Sequence, residues 1–192
     1  MTPHQKSLLK DILRSSLILA ILAGCSTTPP PPAPVSHAPS EGGRYQTDGP
    51  GLHPPANLAD IPDAVPRKDP LNKFANRPYT ALGKVYVPDL SNKPYKVRGM
   101  ASWYGRKFHN QKTSTGELYD MYGMTAANTT LPLPCYVRVT NLANHKSVVV
   151  RVNDRGPFKS DRVIDLTYTA AWKLGFVNQG SAWVEVERIF PE

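Results

Sequence analysis

The sequence predicts a mainly β protein: a small barrel with one or two short helices over residues 96–191, preceded by an export signal and a disordered, proline-rich tether. Three observations carry this. Proline is crowded into one region, with 15 of the 20 between Ser26 and Tyr95 and only Pro132, Pro134 and Pro157 between Lys96 and Phe190. Beyond residue 96 apolar residues alternate in short runs, the period of half-buried strands. These runs are closely spaced and bounded by glycine, asparagine and aspartate, and many short strands in one domain-sized stretch close well into a barrel, which leaves no edge unpaired. With 40% apolar residues, one core cannot run through all 192 positions. The chain therefore divides at residues 1–24, 25–95 and 96–191.

The first part is an address. Lys6, Lys10 and Arg14 form a basic region before the apolar run Leu17-Ile18-Leu19-Ala20-Ile21-Leu22, which is far shorter than the roughly 20 residues of a membrane-spanning helix. It ends in Leu22-Ala23-Gly24-Cys25, which resembles the lipobox of bacterial lipoproteins, whose cysteine takes a diacylglycerol and becomes the first mature residue. Two or three acyl chains give stable anchoring. Ser26, where an aspartate usually signals inner-membrane retention, implies by the same resemblance the outer membrane, facing the periplasm. Pro29 to Pro32 with Pro34 is polyproline II material, and the stretch to Tyr95 carries no apolar periodicity, as expected of a tether. Residues 79–87 are expected to add a short strand or hairpin against the domain.

Within the domain, residues 97–104 read as a strand entering a turn at Gly105. Residues 136–142 alternate, and Ala143-Asn144-His145-Lys146 turns the chain into a second strand at 147–152, a hairpin by composition. Residues 162–166 form another strand. Thr167 is placed to cap a two-turn helix over 168–174 that Gly175 closes. Residues 183–190 alternate again, with Val184 and Val186 opposed to Glu185 and Glu187.

Composition narrows the chemistry. Cys25 and Cys135 are too few for a four-thiolate zinc site, and His109 and His145 have no ligand spacing, so no metal or other cofactor is expected. There is no glycine-rich phosphate loop and no serine nucleophile elbow. A net charge of +8 suits anionic lipid or cell wall, and export makes nucleic acid an improbable partner. Four stretches hold polar groups that a plain barrel does not require: residues 101–105, 115–117, 125–128 and 153–158. Asp154 ends an apolar strand where Gly156-Pro157 turns the chain, a place fixed by the sheet yet open to a groove; Asn-Asp-Arg-Gly is equally plain turn chemistry. Glu117, in a glycine turn, is placed to face it. If residues 154 and 155 alternate, the Asp154 and Arg155 side chains diverge. Trp103 or Tyr104 can underlie a sugar ring, and Asn128, Asn153 and Arg155 complete the candidate substrate contacts. Cys135, Trp172 and Trp183 are expected in the core, and Asp120 and Asp165 at turns or strand ends.

Read together, GMASWYGRKFHNQKTSTGELYDMYGMTAANTTLPLP, VRVTNLANHKSVVVRVNDRGPF and RVIDLTYTAAWKLGF resemble the rare lipoprotein A family, septal-ring lytic transglycosylases with a six-stranded double-psi β-barrel. The resemblance spans residues 97–190. It implies cleavage of the MurNAc–GlcNAc bond of peptidoglycan glycan strands without water, leaving 1,6-anhydro ends, with a preference for glycan free of stem peptides. It puts the catalytic aspartate at Asp154 and an accessory glutamate at Glu117. Where the family usually reads TAAH, this sequence has Asn128, which implies a slower or inactive enzyme, a glycan-binding module in the extreme, and a rate that rises on Asn128→His. The sequence stops at Glu192, so the sporulation-related repeat of many members, with its division-site targeting, is not expected.

Overall fold

The computed structural model describes residues 49–51, 53–159 and 161–192; the export signal, Cys25 and the polyproline stretch lie outside them. Two short strands, β1 (Tyr79–Ala81) and β2 (Lys84–Tyr86), form the expected hairpin. Six more close a barrel: β3 (Lys96–Tyr104), β4 (Thr125–Ala127), β5 (Cys135–Asn141), β6 (Ser147–Asp154), β7 (Arg162–Thr167) and β8 (Ser181–Ile189). One helix, α1 (Tyr168–Lys173), follows β7. Around the barrel the order is β3-β7-β4-β6-β5-β8, with β3/β7 and β4/β6 parallel and the other neighbours antiparallel.

Alternation builds the core. Val137 and Val139 of β5, Val148, Val150 and Val152 of β6, Ile164 and Leu166 of β7, and Val184 and Val186 of β8 all point inward and are buried. Cys135 joins them as expected, and burial pushes its thiol up to about 12. Strand β4 is only three residues long, too short for a periodic signal, and the sequence reads there as a polar turn. Trp183 and Trp172 are not core residues; they are 59% and 41% exposed. Trp183 shares the parity of Glu185 and Glu187, so the inward positions of β8 fall to Val184 and Val186. Helix α1 turns Ala170 and Ala171 inward and leaves Trp172 outside. Thr167 makes no side-chain cap; its hydroxyl donates to the Gly123 carbonyl at 2.7 Å. Asp165 sits within β7 and accepts from the Ser102 hydroxyl at 2.6 Å.

Both parallel pairs carry a bulge. The β3/β7 register steps from Met100↔Arg162 to Ala101↔Ile164, leaving Val163 unmatched. The β4/β6 register steps from Ala126↔Val152 to Ala127↔Asp154, leaving Asn153 unmatched. A bulge bends its strand and re-aims the following side chain, and here that side chain is Asp154.

The stretch from residue 53 to residue 95 differs from the expected tether: it is laid along the barrel. Leu58 is buried in a one-turn 3-10 helix, Leu58–Asp60. Asp63 accepts from the Val149 amide at 2.7 Å and from Lys173 Nζ at 3.0 Å. Asn76 exchanges bonds with Leu133 main chain, at 2.6 Å and 2.8 Å, and Tyr79 donates to the Thr129 carbonyl at 2.9 Å. Apart from Leu58 and the Asp63–Lys173 ion pair these anchors are polar side chains on backbone groups, each contributing about 0.5–1.5 kcal/mol net. Hydrophobic periodicity therefore carries no trace of the polar anchors, and the single buried Leu58 makes no period.

Candidate active site

The site is built from the end of β6 and one tight turn. In the turn, Thr113 N–H donates to the Glu117 carbonyl and Gly116 N–H to the Thr113 carbonyl, both at 2.8 Å. Gly116 has φ +89, a left-handed conformation that favours glycine. The turn delivers Ser114 and Glu117 to β6 side by side. Ser114 donates to Asp154 Oδ1 through its amide (2.8 Å) and its hydroxyl (2.6 Å), and the Arg155 amide donates a third bond at 2.7 Å. Asp154 is half-buried, and its Oδ2 accepts no hydrogen bond among the described residues. One oxygen is thus fixed and the other is left without a donor among the described residues. Gly156, with φ +138, turns the chain away directly afterwards.

Glu117 is held more tightly. Arg151 Nη1 lies 2.7 and 2.6 Å from its two oxygens, and Asn153 Nδ2 donates to Oε2 at 2.8 Å. Arg151 and Asn153 are two apart on β6 and face the same way. Burial pushes the Glu117 carboxyl up, but the bonds from Arg151 and Asn153 outweigh it and hold the carboxyl below its usual value. Glu117 is therefore an anion with both oxygens engaged. On its other side Arg151 Nε donates to Asp69 Oδ2 at 2.9 Å, and Asp69 also accepts from Tyr136 and Arg67, both at 2.8 Å.

The expected divergence of residues 154 and 155 holds. Arg155 makes five hydrogen bonds away from Asp154, two to the Ala75 carbonyl and one each to Asn128 O, Leu131 O and Asn76 Oδ1. With its guanidinium used in this way, Arg155 ties the loops behind the site. Asn153 is likewise redirected: it is buried and holds Glu117. Asn128 is 1% exposed; its amide donates to Val163 O at 2.9 Å and Tyr95 Oη at 3.3 Å and accepts from the Thr130 and Leu131 amides. It belongs to the wall beneath the site. Tyr104 stacks on Tyr119 with ring centroids 4.1 Å apart, and its hydroxyl is buried. Burial first, then the charges of Asp154 and Asp165, raise that hydroxyl well above its usual value, so Tyr104 stays neutral. Trp103, half-buried, donates to the Val177 carbonyl at 3.1 Å and meets Tyr168 edge-on, on the helix side of the barrel. Two surface cavities of about 430 and 420 Å³ lie elsewhere; Asp154 and Glu117 line neither, and the second adjoins Asp69.

Sequence reasoning missed Ser114, Arg151 and Asp69. For Arg151 a signal exists: a lone cation in the apolar run Ser147-Val148-Val149-Val150-Arg151-Val152, two positions before Asn153.

The closed order β3-β7-β4-β6-β5-β8 and its two bulged parallel pairs define a double-psi β-barrel. The family described as lytic transglycolase matches residues 96–186. The endolytic peptidoglycan transglycosylase RlpA of Pseudomonas aeruginosa is 50% identical over 192 residues, covering 93% of this chain and 56% of that protein. The proteins of the same name from Vibrio cholerae and Neisseria meningitidis serogroup A are 48% and 57% identical, covering 90% and 67% of this chain and 61% and 54% of theirs. The chain belongs to the rare lipoprotein A family. It spans little more than half the length of these relatives. Among solved structures, the Streptomyces papain inhibitor aligns at TM-score 0.41 and 21% identity over 50% of this chain and 96% of its own.

Proposed function

We propose that this chain is an endolytic lytic transglycosylase that cuts the MurNAc–GlcNAc bonds of peptide-free peptidoglycan glycan and leaves 1,6-anhydro ends. One observation carries the reading: Asp154, re-aimed by the bulge at Asn153, has Oδ1 fixed by three donors while Oδ2 accepts no hydrogen bond among the described residues. In its acid form Asp154 gives the Oδ2 proton to the glycosidic oxygen, and the bond from that oxygen to the anomeric carbon breaks. The resulting carboxylate takes the proton of the C6 hydroxyl as O6 closes on the anomeric carbon, which restores the acid. No water is consumed. Glu117, an anion beside this centre, stabilises the positive charge that develops at the anomeric carbon.

A hydrolase requires a second carboxylate to activate water. Glu117 is the candidate, and its engagement with Arg151 and Asn153 speaks against that role. A barrel that binds glycan without cutting it is the second reading, favoured by Asn128 in place of the usual histidine. Lipidation at Cys25 and an outer-membrane location facing the periplasm belong to the same proposal, from the Leu22-Ala23-Gly24-Cys25 motif and Ser26.

The test is digestion of peptide-free glycan strands followed by mass spectrometry. Anhydro ends support cleavage without water, reducing ends a hydrolase, and intact strands that retain the protein a binder. Asp154→Asn is expected to abolish cleavage while strands still pull the protein down; a folded Asp154→Asn protein that still cuts refutes the assignment.

A further inference from the structure

Two groups of the candidate site are held by residues that precede the barrel. Asp69 Oδ2 accepts from Arg151 Nε at 2.9 Å, on the opposite flank of the guanidinium from Glu117. Without Asp69 a rotation of Arg151 would carry Glu117 with it. The Asp69 side chain is only 13% exposed. Burial pushes its carboxyl up, and the bonds from Arg151, Tyr136 and Arg67 outweigh that and hold it below the usual value, so the charge facing Arg151 is permanent at working pH.

Asn72 acts on the other side. Its Nδ2 donates to the Thr115 carbonyl at 3.0 Å, in the turn whose Ser114 carries two of the three bonds to Asp154. Its Oδ1 meanwhile accepts from the Phe74 and Ala75 amides at 2.9 and 2.8 Å, which fixes the donor's direction. The matched family domain begins at residue 96, beyond both side chains.

We infer that the segment before the barrel is part of the catalytic apparatus, with Asp69 positioning Glu117 through Arg151 and Asn72 positioning the turn that holds Asp154. This rests on the transglycosylase reading above. Neither residue touches substrate; both act through the groups they hold, and a misplacement of about 1 Å at a reacting group costs up to about a hundredfold in rate.

Asn72→Asp separates positioning from folding, because the carboxylate still accepts from Phe74 and Ala75 and replaces the donor to the Thr115 carbonyl with an oxygen that repels it. Asp69→Asn removes the charge and keeps the shape. In the full chain acting on peptide-free glycan, each is expected to lower kcat about tenfold or more with KM within about twofold, and Asp69→Glu to recover part of the loss. A kcat per folded molecule equal to that of the parent in both variants overturns the inference. Should Asp69→Asn not fold, Asn72→Asp decides alone. Asp154→Asn run in parallel separates the two levels: cleavage by Asp154→Asn defeats the transglycosylase reading itself. Loss of cleavage there, with parental kcat in the other two, defeats only the role of the segment.

Discussion

At the scale of single residues, Asn128 shows how a site position can be filled for the sake of the wall behind it. Its amide makes four contacts, two given and two received, and almost none of it reaches solvent. A neutral imidazole offers one donor and one acceptor, so histidine there cannot serve the Thr130 and Leu131 amides and the Val163 carbonyl together. This reverses the expectation that Asn128→His speeds the reaction: the rate is expected not to rise. Asn128→Ala is expected to cost about 2–4 kcal/mol, since stranded buried groups cost about 1–3 kcal/mol each. Urea denaturation of the two proteins measures it, and a loss under about 1 kcal/mol would mean that water replaces the amide. Asp154 was legible as a candidate from its turn at the end of an apolar strand and Glu117 from its glycine turn, and the family resemblance singled out both. Ser114 was not, because one hydroxyl in Thr113-Ser114-Thr115 looks like any other until the fold chooses which faces β6.

At the scale of elements, the long strands were legible and the short one was not. β5, β6 and β8 have inward valines at every second position, and their observed limits differ from the alternation by at most two residues. β4 offers three residues and its pairing on both sides comes entirely from neighbours, so nothing local marks it. The bulges were equally silent, being properties of a pair of strands. One leaves a trace in Gly99, where a Cβ would run into the methyl groups of Val163, the unmatched residue of β7. Gly99→Ala is therefore expected to destabilise the barrel by about 1–3 kcal/mol, the usual cost of overpacking. Val163→Ala in the same chain should recover part of that loss, because the stiff β-branched side chain is what the new methyl meets. A double-mutant cycle by thermal unfolding checks this; strictly additive effects would show that the strands simply move apart.

At the scale of the whole molecule, the segment from residue 53 to residue 95 and the barrel form one electrostatic unit, and its pH response is readable. Asp69 and Glu117 are held low because the bonds from Arg151 and its companions outweigh burial; Asp89 is held low by Ser91, and Glu185 by Lys96 and Arg98. A carboxyl lowered on folding contributes stability that is whole above its unfolded value, 3.8 for aspartate and 4.5 for glutamate, and is lost as pH falls through the folded value. On the alkaline side Tyr79, Tyr95, Tyr104, Tyr122 and Tyr136 are all raised, chiefly by burial. Raised groups keep their contribution below the unfolded value of 10.0 and lose it as pH climbs through the folded ones. The two arms leave a plateau from about pH 5 to about pH 9. Urea midpoints at about pH 3 and about pH 10.8 should both fall below the midpoint at pH 7. Replacing Asp69 and Glu117 together by their amides should flatten the acid arm, while the alkaline arm loses only the part of the Tyr136 shift that Asp69 supplies. An acid arm equally steep in that double variant would place the proton-binding groups elsewhere and remove the Arg151 bridge from the account of how the segment is held.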